Sequence, residues 1–173
     1  MRQINANQLQ DLVADISLER DRLKRLEQEI QDVQQEIQLD PARSHLFYES
    51  LALKLHNFYT GCERIFRLVA IELNGGVPSS SDWHKRLLDR MTIAREGRQA
   101  MLRPETARQL QEFLGFRHIV RNLYGFELDR DRIAQLVSKH PAVWLQVEQD
   151  VNEFIEWLKD LAFSLEEDLF LDQ

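Results

Sequence analysis

Hydrophobic positions near the start of the chain fall at Leu9, Leu12, Ile16, Leu23, Leu26, Ile30, Val33 and Ile37. The spacings are three and four, with one gap at Glu19, and strong helix formers fill the positions between. This is a heptad seam, and it predicts one helix over 6–38, about 50 Å long at ~1.5 Å per residue. Such a helix either lies along the second helix of its own chain or pairs with a partner. "LDPARS" (39–44) predicts a turn directly after it. A second helix is predicted from about Ala42 to Leu73, with Phe47, Leu51, Leu55, Phe58, Cys62, Phe66, Val69 and Leu73 on one side. Its stripe is broader and richer in aromatics, as expected of a central core helix.

The run "NGGVPSSSD" (74–82) is the clearest loop, and Ser81 or Asp82 is placed to cap the next helix. That third helix is short and is predicted over 83–96. Pro104 suits the first turn of a fourth, where its missing N–H has no partner to lose. The fourth helix carries Leu110, Phe113, Phe116, Val120 and Leu123, and Gly125 is expected to end it. "RDRIAQLVSKH" predicts one more short helix. Pro141 is expected to open the last, over 141–167, with Val143, Val147, Val151, Phe154, Leu158 and Leu161 inward. No β-alternation is evident. The expectation is an all-α bundle of about five main helices, with residues 1–38 as an N-terminal heptad arm and 39–173 as the bundle.

Charge changes this picture. The 173 residues carry a net charge of −7, with 22 basic and 29 acidic residues. That argues against general nucleic-acid affinity, which depends on neutralising phosphates. Yet residues 84–132 hold 11 basic and 7 acidic residues between two acidic flanks, so an acidic protein can present one basic surface. Cys62 is the single cysteine, which excludes an intrachain disulfide and a cysteine-rich zinc site. Within "FYTGCERIFRLVA" it reads as a buried hydrophobe. The usage fits a reducing cytoplasm. No secretory leader is evident in "MRQINANQLQ", and no apolar run reaches the ~18 residues of a membrane span.

The basic middle third contains "GFRHIVRNLYGFELD" (115–129), where a core helix carries unusual polar content. At ~100° per residue, Arg117, Arg121 and Tyr124 form one stripe, while Asn122 lies near ~140° from Arg117. Arg117 and residue 122 converge only if the helix ends or distorts there, or if two copies share the site across a two-fold axis. Arg117 and Arg121 could be merely solvated, or paired with Glu127, Asp129 and the acidic last helix. His118 could likewise be a packed or surface residue. Together, Arg, His and Tyr could also handle a phosphate: Arg offers a planar fork of donors, and Tyr can stack on a base.

The order Arg117, four residues, Asn122, any residue, Tyr124 resembles the signature of HEPN-domain proteins, specifically the HepT-like toxins. Their pattern is Arg, four residues, His, any residue, Tyr. "FLGFRH", "YGFELD" and "DWHKRLLDRM" are also similar to that family, and the likeness covers roughly residues 40–165. It implies a HEPN-type bundle and a homodimeric ribonuclease that needs no metal and no cofactor. It also implies membership of a toxin–antitoxin pair. The partner would be a nucleotidyltransferase of the MNT type, which silences the toxin by transferring AMP to Tyr124. Arg117 and residue 122 would be catalytic, with His118 and Arg121 supporting contact with RNA.

Asn122 departs from the pattern. An amide keeps size and hydrogen-bonding capacity but neither gives nor takes a proton near neutral pH. Loss of one acid–base group costs ~10²–10⁴ in rate, so an inactive or weak ribonuclease is expected. Asn122 reads either as a natural loss that leaves binding alone or as an introduced His→Asn exchange. The alternative to an enzyme is a non-catalytic HEPN binding module associated with a nucleotidyltransferase. His118 points ~100° away from Arg117 on the helix, which argues against its standing in for the missing histidine.

Overall fold

The computed structural model describes residues 4–95, 97–121 and 128–171, the last four as backbone only. Most of them lie in five α-helices and one 3-10 helix: α1 (Ala6–Leu39), a 3-10 turn (Pro41–Leu46), α2 (Tyr48–Leu73), α3 (Trp83–Met91), α4 (Pro104–Val120) and α5 (Arg130–Leu171). The described residues contain no β-strand, only an isolated bridge between Arg95 and Arg98. The all-α bundle is as the hydrophobic spacing requires.

Helix α1 begins at a reciprocal cap. The Asn5 side chain accepts from the Gln8 amide at 2.9 Å, and the Gln8 side chain accepts from the Asn5 amide at 3.1 Å. The seam then faces inward within its own chain, packing α1 along both α2 and α5. Leu9, Leu12, Ile16, Leu23 and Ile30 join the common core, and Leu26, Val33 and Ile37 are half-buried against it. The gap at Glu19 is a buried carboxylate that pairs with Arg22 and with Arg64 of α2. Gly61 of α2 sits where α1 comes nearest, since a Cβ there would meet Leu23 Cδ2 at 2.6 Å.

Several boundaries differ from the expectations. Residues 41–46 form a 3-10 turn, with Arg43 N–H donating to Asp40 and Phe47 N–H to Ser44, so α2 starts later than Ala42. Asp82 precedes α3 by position but does not cap it with its side chain, which accepts instead from the Ser80 hydroxyl at 2.7 Å. Helix α3 stops at Met91, five residues early. Its last carbonyls are claimed by other donors: Arg98 Nη2 reaches the Arg90 and Ile93 carbonyls at 3.0 and 2.6 Å, and the Met101 and Leu102 amides reach Met91.

Pro104 does open α4. Its N-cap, Arg103, has no capping side chain. Asp150 of α5 serves instead, accepting from the Arg103 amide at 3.0 Å and from its Nε at 2.5 Å. Helix α4 ends at Val120 rather than Gly125. The apolar stripe of Leu110, Phe113, Leu114 and Phe116 runs out at half-buried Val120, while Ile119 is exposed. The expected inward Leu123 and terminal Gly125 lie outside the described residues.

Pro141 does not begin a helix. It lies inside a continuous 42-residue α5. Proline removes one N–H from the ladder. Buried Leu136, Val137 and His140 before it, and Val143, Trp144 and Val147 after it, hold both sides on one core.

Candidate functional site

Arg117 occupies the last turn of α4, only 8% exposed. Its Nη2 lies 3.5 Å from Glu63 Oε1 on α2, and its Nη1 3.4 Å from Nε2 of His84 on α3. The other Glu63 oxygen, Oε2, meets His84 Nδ1 at 2.5 Å. Three helices therefore each supply one member of a closed triangle, Glu63–His84–Arg117. The expected partners for Arg117 were acids after residue 126 and on the last helix; the described partner is Glu63. Asp129 is engaged elsewhere, accepting from the Arg132 amide at 3.1 Å at the start of α5.

The carboxylate fixes the imidazole. A hydrogen bond from Nδ1 to Glu63 places that proton on Nδ1 and leaves Nε2 as the acceptor facing Arg117. His84 is further held by Trp83, whose ring stacks on it at 3.6 Å and 29°, with Arg67 6.0 Å above the indole. His118 comes edge-on to the same imidazole, with ring centroids 5.7 Å apart and planes at 87°. The ~100° between Arg117 and His118 on α4 thus does not separate them, because His84 from α3 spans both. Between α3 and α4 opens a cavity of about 440 Å³, lined by His84, Lys85, Gln111, Gly115 and His118 among others.

Helix α2 also places His56 and Tyr59 within the field of Arg117. Burial, and then the charges of Arg117 and Arg121, push the His56 imidazole below its ordinary value, with Glu63 opposing. Arg121, exposed at the C-cap of α4, thereby shares a field with Arg117. The Tyr59 phenol is fully buried and pushed up by burial and by the Glu63 carboxylate. Cys62 is fully buried, and burial pushes its thiol up, which suits a packing residue and not a nucleophile. Among the described residues no three His, Cys, Asp or Glu side chains converge as a metal site requires, and no helix is long and apolar enough to cross a membrane.

Of the residues read from sequence, Arg117, His118 and Arg121 gather at the end of α4. Asn122 and Tyr124 lie outside the described residues. Glu63, His84 and His56 were missed. Their signals were faint but real: Glu63 interrupts the aromatic stripe of α2, and His84 lies on the same face as Leu87, Leu88 and Met91.

The described residues form an all-α bundle with a buried arginine–carboxylate–imidazole triangle at the end of α4. A family model described as HepT-like protein matches residues 50–158, from α2 into α5. The chain belongs to the HepT-like family, of HEPN type. No curated protein and no solved structure matched the chain.

Proposed function

We propose that this chain is the ribonuclease toxin of a two-component pair, working as a homodimer without metal. Arg117 holds the scissile phosphate of RNA, and its guanidinium fork stabilises charge growing on the phosphoryl oxygens. The observation that carries this reading is the ion pair and imidazole contact that hold Arg117 in place, on a helix that stops at Val120.

The partner in this reading is an MNT-type nucleotidyltransferase that adds AMP to Tyr124. The adduct puts bulk and negative charge where RNA phosphate must enter. Asn122 removes the proton-transferring group of the motif, so cleavage by the motif route is lost. That same residue favours a second reading, a HEPN module that binds RNA and a nucleotidyltransferase without cutting.

The test is to make Asn122→His and follow labelled RNA in the presence of EDTA. The variant is expected to cleave, and Arg117→Ala added to it is expected to abolish cleavage. Binding without cleavage by Asn122→His at micromolar protein would leave only the binding module. Incubation with the nucleotidyltransferase and ATP is expected to raise the intact mass by ~330 Da per AMP, an addition that Tyr124→Phe prevents.

A further inference from the structure

We propose that His84, oriented by Glu63, and His118 form an acid–base pair for RNA cleavage that does not depend on residue 122. The inference rests on the ribonuclease reading and deepens it, by naming the groups that move protons in this chain.

A metal-free phosphodiester cleavage needs a base for the ribose 2′-OH, an acid for the leaving oxygen, and a cation at phosphorus. His84 has the layout of an oriented base. Its Nδ1 is tied to a carboxylate at 2.5 Å, which fixes the tautomer and leaves Nε2 as the acceptor. Nε2 faces the Arg117 guanidinium at 3.4 Å, a long contact that a bound phosphate can displace. His84 is nearly buried, yet it lines the α3–α4 cavity. His118 lines the same cavity from the opposite helix, 5.7 Å from His84 ring to ring. At about 440 Å³ the space falls within the ~300–1,000 Å³ range of small-molecule sites, enough for one nucleotide unit. Lys85 and Asp82 also line it, one positive and one negative charge, and Lys85 is the side chain placed to meet the neighbouring phosphate.

In the step so assigned, His84 Nε2 takes the 2′-OH proton and O2′ bonds to the adjacent phosphorus. The P–O5′ bond breaks, and the His118 imidazolium gives its proton to O5′. The products are a 2′,3′-cyclic phosphate and a 5′-hydroxyl, and exchange with water resets both rings. Arg117 does not line the cavity; it acts from behind His84, where its guanidinium adds positive charge beside Nε2. Glu63 is a positioning residue, since it acts through His84.

The full-length chain with Asn122 retained is incubated with end-labelled RNA in EDTA, beside Asn122→His, His84→Gln, His118→Gln and Glu63→Gln, with circular dichroism recorded for each. The parent is expected to cleave and to leave cyclic phosphate ends. His84→Gln and His118→Gln should each lower the rate ~10²-fold or more. His118 is exposed, so its variant reports even if His84→Gln fails to fold. Glu63→Gln should lower kcat with little change in KM, because the His84 ring loses the partner that orients it, and Glu63→Asp should restore part of the rate; a purely structural role would not separate the two variants at equal folding. An inert parent beside a cleaving Asn122→His variant overturns this proposal and leaves the ribonuclease reading standing. Cleavage by the parent that survives His118→Gln at full rate also overturns it. If neither the parent nor Asn122→His cleaves, the ribonuclease reading falls and this inference falls with it.

Discussion

Glu27 and His140 meet between α1 and α5, and their charges tie folding to pH. His140 is fully buried, edge-on to Phe58 at 4.3 Å and to Phe113 at 6.1 Å, and forms an ion pair with Glu27. Burial alone would raise the Glu27 carboxyl, but His140, by hydrogen bond and charge, and the Gln31 amide hold it below the usual carboxylate range. A depressed carboxyl contributes stability above its unfolded value, near ~4.3, that is lost as pH falls through the folded value. His56 has the same sign for a different reason. Its imidazole is held neutral, so the unfolded chain binds the proton first, from about 6.5 downward. Urea melts are therefore expected to show stability falling in two acid stages. Glu27→Gln should flatten the lower stage and cost about 1–3 kcal/mol at neutral pH, because it takes the anion from a buried imidazole. An unchanged acid limb in Glu27→Gln would show that the pair contributes nothing to the pH dependence. Site chemistry had a similar limit at this scale. Arg117 was singled out only because a motif named it, whereas Glu63 and His84 lie 21 positions apart on different helices, and one-dimensional spacing does not say which faces meet.

Helix faces, by contrast, were legible wherever packing and periodicity agreed. The α2 stripe, the Pro104 start and the loop after Leu73 all follow from elementary rules, and Gly75 and Gly76 have the positive φ values (76° and 132°) that favour glycine in that loop. The α5 boundary was not, because the cost of Pro141 is local while the core that offsets it comes from other helices. Gly61 makes the same point as a prediction. In an isolated helix, Gly→Ala gains about 1 kcal/mol. Here the new methyl meets Leu23 Cδ2 at 2.6 Å, and Leu23 is itself only 2% exposed, with little room to give. Overpacking costs about 1–3 kcal/mol, so Gly61→Ala is expected to lower the melting temperature despite its better propensity. Leu23→Ala should relieve the clash, so that Gly61→Ala is stabilising in that background. Additive effects in the double-mutant cycle would show that α1 and α2 do not meet there.

For the whole molecule, the division of labour runs between layers. The triangle Glu63–His84–Arg117 and the cavity beside it come from α2, α3 and α4, all within the span matched by the family. Helix α1 lies outside that span and supplies none of these groups. It nevertheless covers the other side of α2 with Leu9, Leu12, Ile16, Leu23 and Ile30, each at most 2% exposed, and pairs Glu27 with His140. Reading residues 1–38 as an arm captures their position in sequence, while their burial makes them part of the same core as α2. Removing five such side chains at once forfeits about 1.5–3 kcal/mol each, which approaches the ~5–15 kcal/mol total stability of an ordinary domain. A chain starting at residue 39 is therefore expected to lose its cooperative thermal transition and to bind a dye for exposed apolar surface. Any loss at the triangle would come through unfolding, since no residue of α1 contributes to it. If the shortened chain melts cooperatively within a few degrees of the full one, α1 is an appendage and its role lies in contacts with another molecule. Supplying residues 1–39 as a separate peptide distinguishes the two cases: restored cooperativity would place the helix in the core of this bundle.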